Sequence, residues 1–132
     1  MAEEVRETTT GDGYAVGHID GMGDGPGFRK VRQELGVTAF GVNVIVMPPG
    51  YSGNRHYHER QEEIYFVHQG RLEFEFGDGS SFLLGPGAVA RVDAQTVRVV
   101  RNPSESEDAV YLSAGGADGY VGRDGQPAND QG

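Results

Sequence analysis

The chain contains no cysteine, which excludes disulfides and thiolate metal sites together. No apolar run approaches the roughly 18 residues that a membrane-spanning helix needs. The opening MAEEVRETTTGDG is acidic and polar, without the basic-then-apolar layout of a signal peptide. Nothing resembles the clustered basic stripe of a nucleic-acid binder. These absences predict a soluble, cytoplasmic protein whose partners are neither nucleic acid nor membrane. Helical signals are scarce too, with KVRQEL (30–35) the one candidate turn.

What the sequence does hold points to short strands. A chain of 132 residues suits one domain, and 22 glycines and 6 prolines punctuate its short apolar runs. The net charge of −9 is unevenly placed: residues 1–12 carry −3, residues 103–109 carry −3 and residues 116–132 carry −2. The remaining body is nearly neutral, so the acidity serves solubility. Residues 1–12 and 116–132 lack apolar periodicity and are expected to be disordered or flexible tails. Residues 13–35 are assigned to N-terminal strands and a loop packed on a main body at 36–115.

Within that body the period is two, the pattern of a barrel or sandwich. VTAFGVNVIVMPPG (37–50) sets Phe40, Val42, Val44 and Val46 on one face before Pro48-Pro49-Gly50 ends the strand. EEIYFVHQG (62–70) sets Glu63, Tyr65 and Val67 on one face and Glu62, Ile64, Phe66 and His68 on the other. Apolar residues on both faces predict a central strand covered on both sides. RLEFEF (71–76) turns Leu72, Phe74 and Phe76 inward, and Gly77-Asp78-Gly79 marks a hairpin. Further strands are expected in SFLL, AVARV, TVRVVRN (96–102) and AVYLSA (109–114).

Three of the four histidines fall in GYSGNRHYHERQEEIYFVHQG (50–70). His56 and His58 are two apart, so both imidazoles project from one face of an extended backbone. Glu63 follows after room for a turn, where a second strand brings its carboxylate beside them. Two histidines and a carboxylate with open positions suit Fe(II), and also Mn(II), Ni(II) or Zn(II). His68 lies on the opposite face from Glu63 and reads as a packing or interface residue. His18 is isolated and carries no signal.

The spacing Gly50, five residues, His56-x-His58, four residues, Glu63, six residues, Gly70 resembles the first motif of the cupin family at every specified position. The resemblance covers roughly residues 36–114. It implies an all-β antiparallel jelly-roll barrel, commonly a homodimer, with a small-molecule site in its mouth. In metal-binding cupins the two histidines and the glutamate are ligands, joined by a histidine from a second motif.

That fourth ligand is missing. The second motif aligns over Asp93 to Asn102, where Asn102 is retained but proline, glycine and histidine give way to Asp93, Gln95 and Arg98. No histidine follows His68. Arginine offers donors only and does not coordinate a cation. Local alternation points Arg98 to solvent, because Val97 and Val99 would then form the buried face; the family alignment points it inward. An inward Arg98 either pairs with Glu63 in a metal-free site or stands beside a three-ligand metal and holds a substrate carboxylate. Tyr65, Val67, Arg98 and Asn102 are the candidate pocket residues, and Arg55, Tyr57 and Arg60 flank the motif at the rim. Two functions are therefore expected: a metal-dependent enzyme acting on a small, anionic molecule, or a metal-free binding module closed by Glu63 and Arg98.

Overall fold

The computed structural model describes residues 2–128, and its regular elements are almost all strands. In chain order they are β1 (Thr9–Gly11), β2 (Tyr14–Val16), β3 (Gly27–Arg29), α1 (Val31–Leu35), β4 (Gly41–Met47), β5 (His56–His58) and β6 (Glu62–Gln69). Then follow β7 (Leu72–Phe76), β8 (Ser81–Leu84), β9 (Val89–Val92), β10 (Arg98–Arg101), β11 (Ala109–Gly116) and β12 (Gly125–Pro127). Two five-stranded antiparallel sheets, ordered β12-β5-β10-β7-β8 and β3-β4-β11-β6-β9, make the barrel. The expected all-β jelly roll is what forms. Among the described residues no helix is long and apolar enough to cross a membrane.

The core follows from register. Antiparallel pairing sets Tyr65 opposite Ser113 and Val67 opposite Tyr111, while Ile45 pairs Tyr111 on the other side. Directly opposite residues share a face, so Ile45, Met47, Tyr65, Val67 and Tyr111 all point inward. They meet Leu72, Phe74 and Val100 from the second sheet. The Tyr65 and Phe74 rings join the two sheets edge to face, with centroids 5.0 Å apart. As expected, Gly70 ends β6: it adopts φ +75°, and a Cβ there would lie 2.5 Å from the Asp108 carbonyl oxygen.

Several expectations need correcting. In β4 the residues facing the shared core are Ile45 and Met47, while Val42 and Val44 are buried on the other face. Phe40 lies outside the strand and is exposed. The β6 strand is internal to its sheet, but its second face is open, with Ile64 and Phe66 exposed. Apolar content alone did not report coverage there, because among the described residues no element lies over that face.

The ends also hold more structure than their composition suggests. Residues 9–16 form a hairpin turned at Asp12-Gly13, with Gly13 at φ +86°. Residues 125–127 form β12, the edge strand beside β5, which carries both histidines of the motif. Such three-residue strands draw on backbone pairing rather than apolar side chains, so hydrophobic periodicity does not mark them. The tail expected at 116–132 extends past the described residues at 129–132.

Candidate metal centre

The site is built from both sheets. β5 supplies His56 and His58 on one face, β10 lies beside it, and β6 of the opposite sheet supplies Glu63. One potential ligand atom from each of His56, His58 and Glu63 lies within 4.8 Å of the others. His58 Nε2 is 3.2 Å from Glu63 Oε1.

Register decides the orientation of Arg98. It pairs directly with His56, which places its side chain on the imidazole face. The residue is fully buried, and its Nη2 donates to Glu63 Oε1 at 3.0 Å. Nη1 donates to the Thr96 carbonyl at 2.7 Å and to that of Ala94 at 3.3 Å. The solvent-facing orientation is thus overturned. Alternation misleads here because Arg98, Val99 and Val100 are buried in succession, and only Arg101 at the end of β10 is partly exposed.

Glu63 is the hub. Its Oε1 also accepts from the Tyr65 hydroxyl at 2.5 Å, while Oε2 accepts from Gln61 Nε2 at 3.1 Å and Ser113 Oγ at 3.4 Å. Gly115 makes room for it: a Cβ there would lie 3.0 Å from Glu63 Cγ and 2.6 Å from the Glu62 carbonyl oxygen. Burial alone would raise the carboxyl's pKa. Hydrogen bonds from His58 and Tyr65, with the charges of His58 and Arg98, overcome that penalty and hold it down to about 2. Burial and the neighbouring Glu63 charge push the Tyr65 phenol up, so it remains a protonated donor.

A folded-state pKa below the ordinary 4.5 means the ionised Glu63 stabilises the fold above that range. The stabilisation is lost as pH falls through the interval down to about 2. Over the whole interval the metal-free protein should lose about 3 kcal/mol from this group. Denaturant unfolding between pH 6 and pH 2 checks it. A Glu63→Gln variant should show a pH profile flatter by that amount, and an unchanged profile would refute the assignment.

The donor chemistry fits a divalent ion. His56 Nδ1 lies 2.9 Å from the Asn54 carbonyl, which makes Nδ1 the donor and leaves Nε2 with its lone pair. Burial, opposed in part by that hydrogen bond and assisted by the Arg98 charge, lowers the His56 pKa. Neutral imidazole, the ligating form, is therefore favoured. His58 Nδ1 is buried without a hydrogen-bond partner, 3.7 Å from Asp124 Oδ2. A metal-ligating histidine characteristically aims its second nitrogen at a carboxylate. Adjacent ligands around an octahedral ion at metal–ligand distances near 2.1 Å are about 3 Å apart, close to the His58–Glu63 separation.

Of the candidate pocket residues, Tyr65 and Arg98 reach the site through Glu63. Val67 is fully buried in the core beneath it. Asn102 does not join them. It lies about 13 Å of extended strand beyond Arg98, where Nδ2 donates to the Met47 and Glu107 carbonyls and Oδ1 accepts from Ser104 N–H. It secures the loop before β11. Arg55 at the rim faces Glu75 at 3.6 Å.

Asp124 was not foreseen. It is buried, and its Oδ2 accepts from the Arg60 and Gln61 amides at 2.9 and 2.7 Å. Burial opposes its ionisation, but those two bonds and nearby positive charge lower its pKa. A lone aspartate in a polar, glycine-rich segment gives no sequence signal. Beside the site opens a cavity of about 510 Å³, reached by His58, Glu63, Ser113, Lys30, Arg32 and Arg123.

A jelly-roll barrel with a two-histidine, one-carboxylate cluster at its mouth defines the class. Residues 43–115 match the family described as Cupin domain, and the chain belongs to the cupin family. No curated protein matches it. Among solved structures it is similar to the DMSP lyase DddQ from Ruegeria pomeroyi, with 23% identity and a TM-score of 0.60. That match covers 71% of this chain but 45% of the lyase, so the chain spans less than half the lyase's length. An uncharacterized conserved protein with a double-stranded beta-helix domain from Klebsiella pneumoniae matches at 21% identity and a TM-score of 0.61, covering 70% of this chain and 76% of that one. A Cupin 2 conserved barrel domain protein from Salinispora arenicola matches at 26% identity and 0.53, covering 58% and 62%. The lyase and the Klebsiella protein carry the fold alone.

Proposed function

We propose that the protein is a metal-dependent enzyme of the cupin type that acts on a small, anionic molecule. Its ion is Fe(II), Mn(II), Ni(II) or Zn(II), held by His56, His58 and Glu63. The observation that carries this reading is the convergence of those three ligand atoms within 4.8 Å from two different sheets. A bound ion would supply Lewis-acid or redox chemistry at two or three open positions.

The chain's own groups orient that centre. Tyr65 and Arg98 fix one carboxylate oxygen of Glu63, Gln61 and Ser113 hold the other, and Asp124 faces the far nitrogen of His58. Both histidines of the cluster serve as ligands, so side-chain acid–base catalysis is not the source of reactivity. The lyase among the similar structures is consistent with small-molecule chemistry in such a barrel. A homodimer would cover the exposed Ile64 and Phe66 on the outer face of β6.

The Glu63–Arg98 pair at 3.0 Å favours a second reading, a metal-free small-molecule module whose vacant ligand position is filled by a cation. Elemental analysis of protein purified without a histidine tag separates the two. The first predicts about one equivalent of a transition metal, retained or regained after adding Fe(II), Mn(II), Ni(II) or Zn(II). Less than about a tenth of an equivalent under all four additions would leave only the second.

A further inference from the structure

Three cationic side chains outside the cupin motif line the cavity beside Glu63: Lys30 and Arg32 at α1, and Arg123 just before β12. Arg91, Arg98 and Arg101 all face carboxylates. Among the described residues, Lys30, Arg32 and Arg123 have no such partner.

The two acids at the cavity leave a surplus of positive charge, since Glu63 is paired with Arg98 and Asp124 is a single carboxylate against three cations. Glu63 is engaged by Arg98, Tyr65 and Gln61, and Asp124 by two backbone amides. Arg32 is also held in place, its guanidinium carbon 3.9 Å from the centroid of the Tyr120 ring. Phe28 and Val121 add an apolar wall. An acidic chain thus keeps unpaired positive charge around one cavity, at the end where its candidate ligands lie.

We propose that this cavity binds a small organic acid whose ionised group, a carboxylate or a phosphate monoester, seats among Lys30, Arg32 and Arg123. Its carbon body lies along the apolar wall and its other end reaches His58 and Glu63. The placement of that other end rests on the metal-centre reading. The three cations are separate from the ligand set, so either assignment can fail without the other.

Calorimetric titration of the metal-free protein with glutarate, glycerol 3-phosphate and neutral 1,5-pentanediol tests the proposal, with metal content measured in parallel. The expected result is saturable binding of at least one anion and none of the diol. Preference between the two anions identifies which ionised group the site takes. Lys30→Gln and Arg123→Gln should each weaken binding about tenfold, and the double variant should lose it while holding as much metal as the unsubstituted protein. Both residues are exposed, so these variants should fold, and melting curves verify it. Failure of both anions to bind the unsubstituted protein, or equal binding by the double variant, overturns the proposal. Anion binding by a protein that takes up no metal supports it and removes the metal centre alone.

Discussion

Replacing Arg98 by methionine is expected to destabilise the metal-free protein by about 3 kcal/mol, a fall in Tm of about 10 °C. The size follows from what is left behind. Arg98 is fully buried, and its loss leaves the buried Glu63 carboxylate without its cationic partner. It also removes the donors that reach the Thr96 and Ala94 carbonyls. Tyr65, Gln61 and Ser113 remain on the carboxylate, which keeps the loss at the lower end for a broken buried pair. Adding Glu63→Gln should restore much of the stability, since a neutral amide needs no cation.

The same substitution should improve metal binding, because a positive charge 3.0 Å from the ligand carboxylate opposes an incoming cation. Mn(II) or Ni(II) at a hundredfold excess over its Kd should then return about 2.7 kcal/mol. Thermal melts with and without the ion read both effects. An Arg98→Met protein that melts like the parent without metal would show that the ion pair contributes little.

The second large effect is expected at His58. His58→Ala should lower metal affinity by at least about 100-fold, since it removes a ligand rather than an outer partner. The protein should stay folded: Glu63 keeps Arg98, Tyr65 and Gln61, and Asp124 keeps its two amides. Equilibrium dialysis against Zn(II), followed by elemental analysis, measures the loss. His68→Ala is the control, because His68 is exposed on the opposite face of β6 and should leave binding unchanged. Equal metal retention by both variants would remove His58 from the centre.

The ligand cluster was legible because its geometry is local. Two histidines two apart must share a face of a strand, and Glu63, Tyr65 and Val67 must share one of the next. The barrel was legible for the same reason, through period-two runs and turn residues. Arg98 was not, since three successive buried residues, Arg98 to Val100, break the alternation; the pairing of Arg98 with His56 settles it. Asn102 was placed in the pocket by its motif position, yet it sits at the other end of β10 and ties down a loop. Asp124 and Arg123 come from a segment with no apolar periodicity, Lys30 and Arg32 from the one weak helical turn at 30–35, and nothing in their spacing links them to residues 56–63. The open face of β6 was misread because apolar side chains do not report whether anything lies over them.

The attachment of β12 to β5 gives the centre a weak edge. A three-residue strand on the rim of a sheet can detach in a local opening that costs far less than unfolding the barrel. When it does, Gly125 to Pro127 leave the backbone of His56 to His58, and Asp124 moves away with them. The three ligands would survive that event, but His58 would lose the carboxylate facing its second nitrogen and the cavity would lose Arg123. Opening of this short strand would therefore withdraw the carboxylate behind His58 and a cation of the neighbouring cavity in one event.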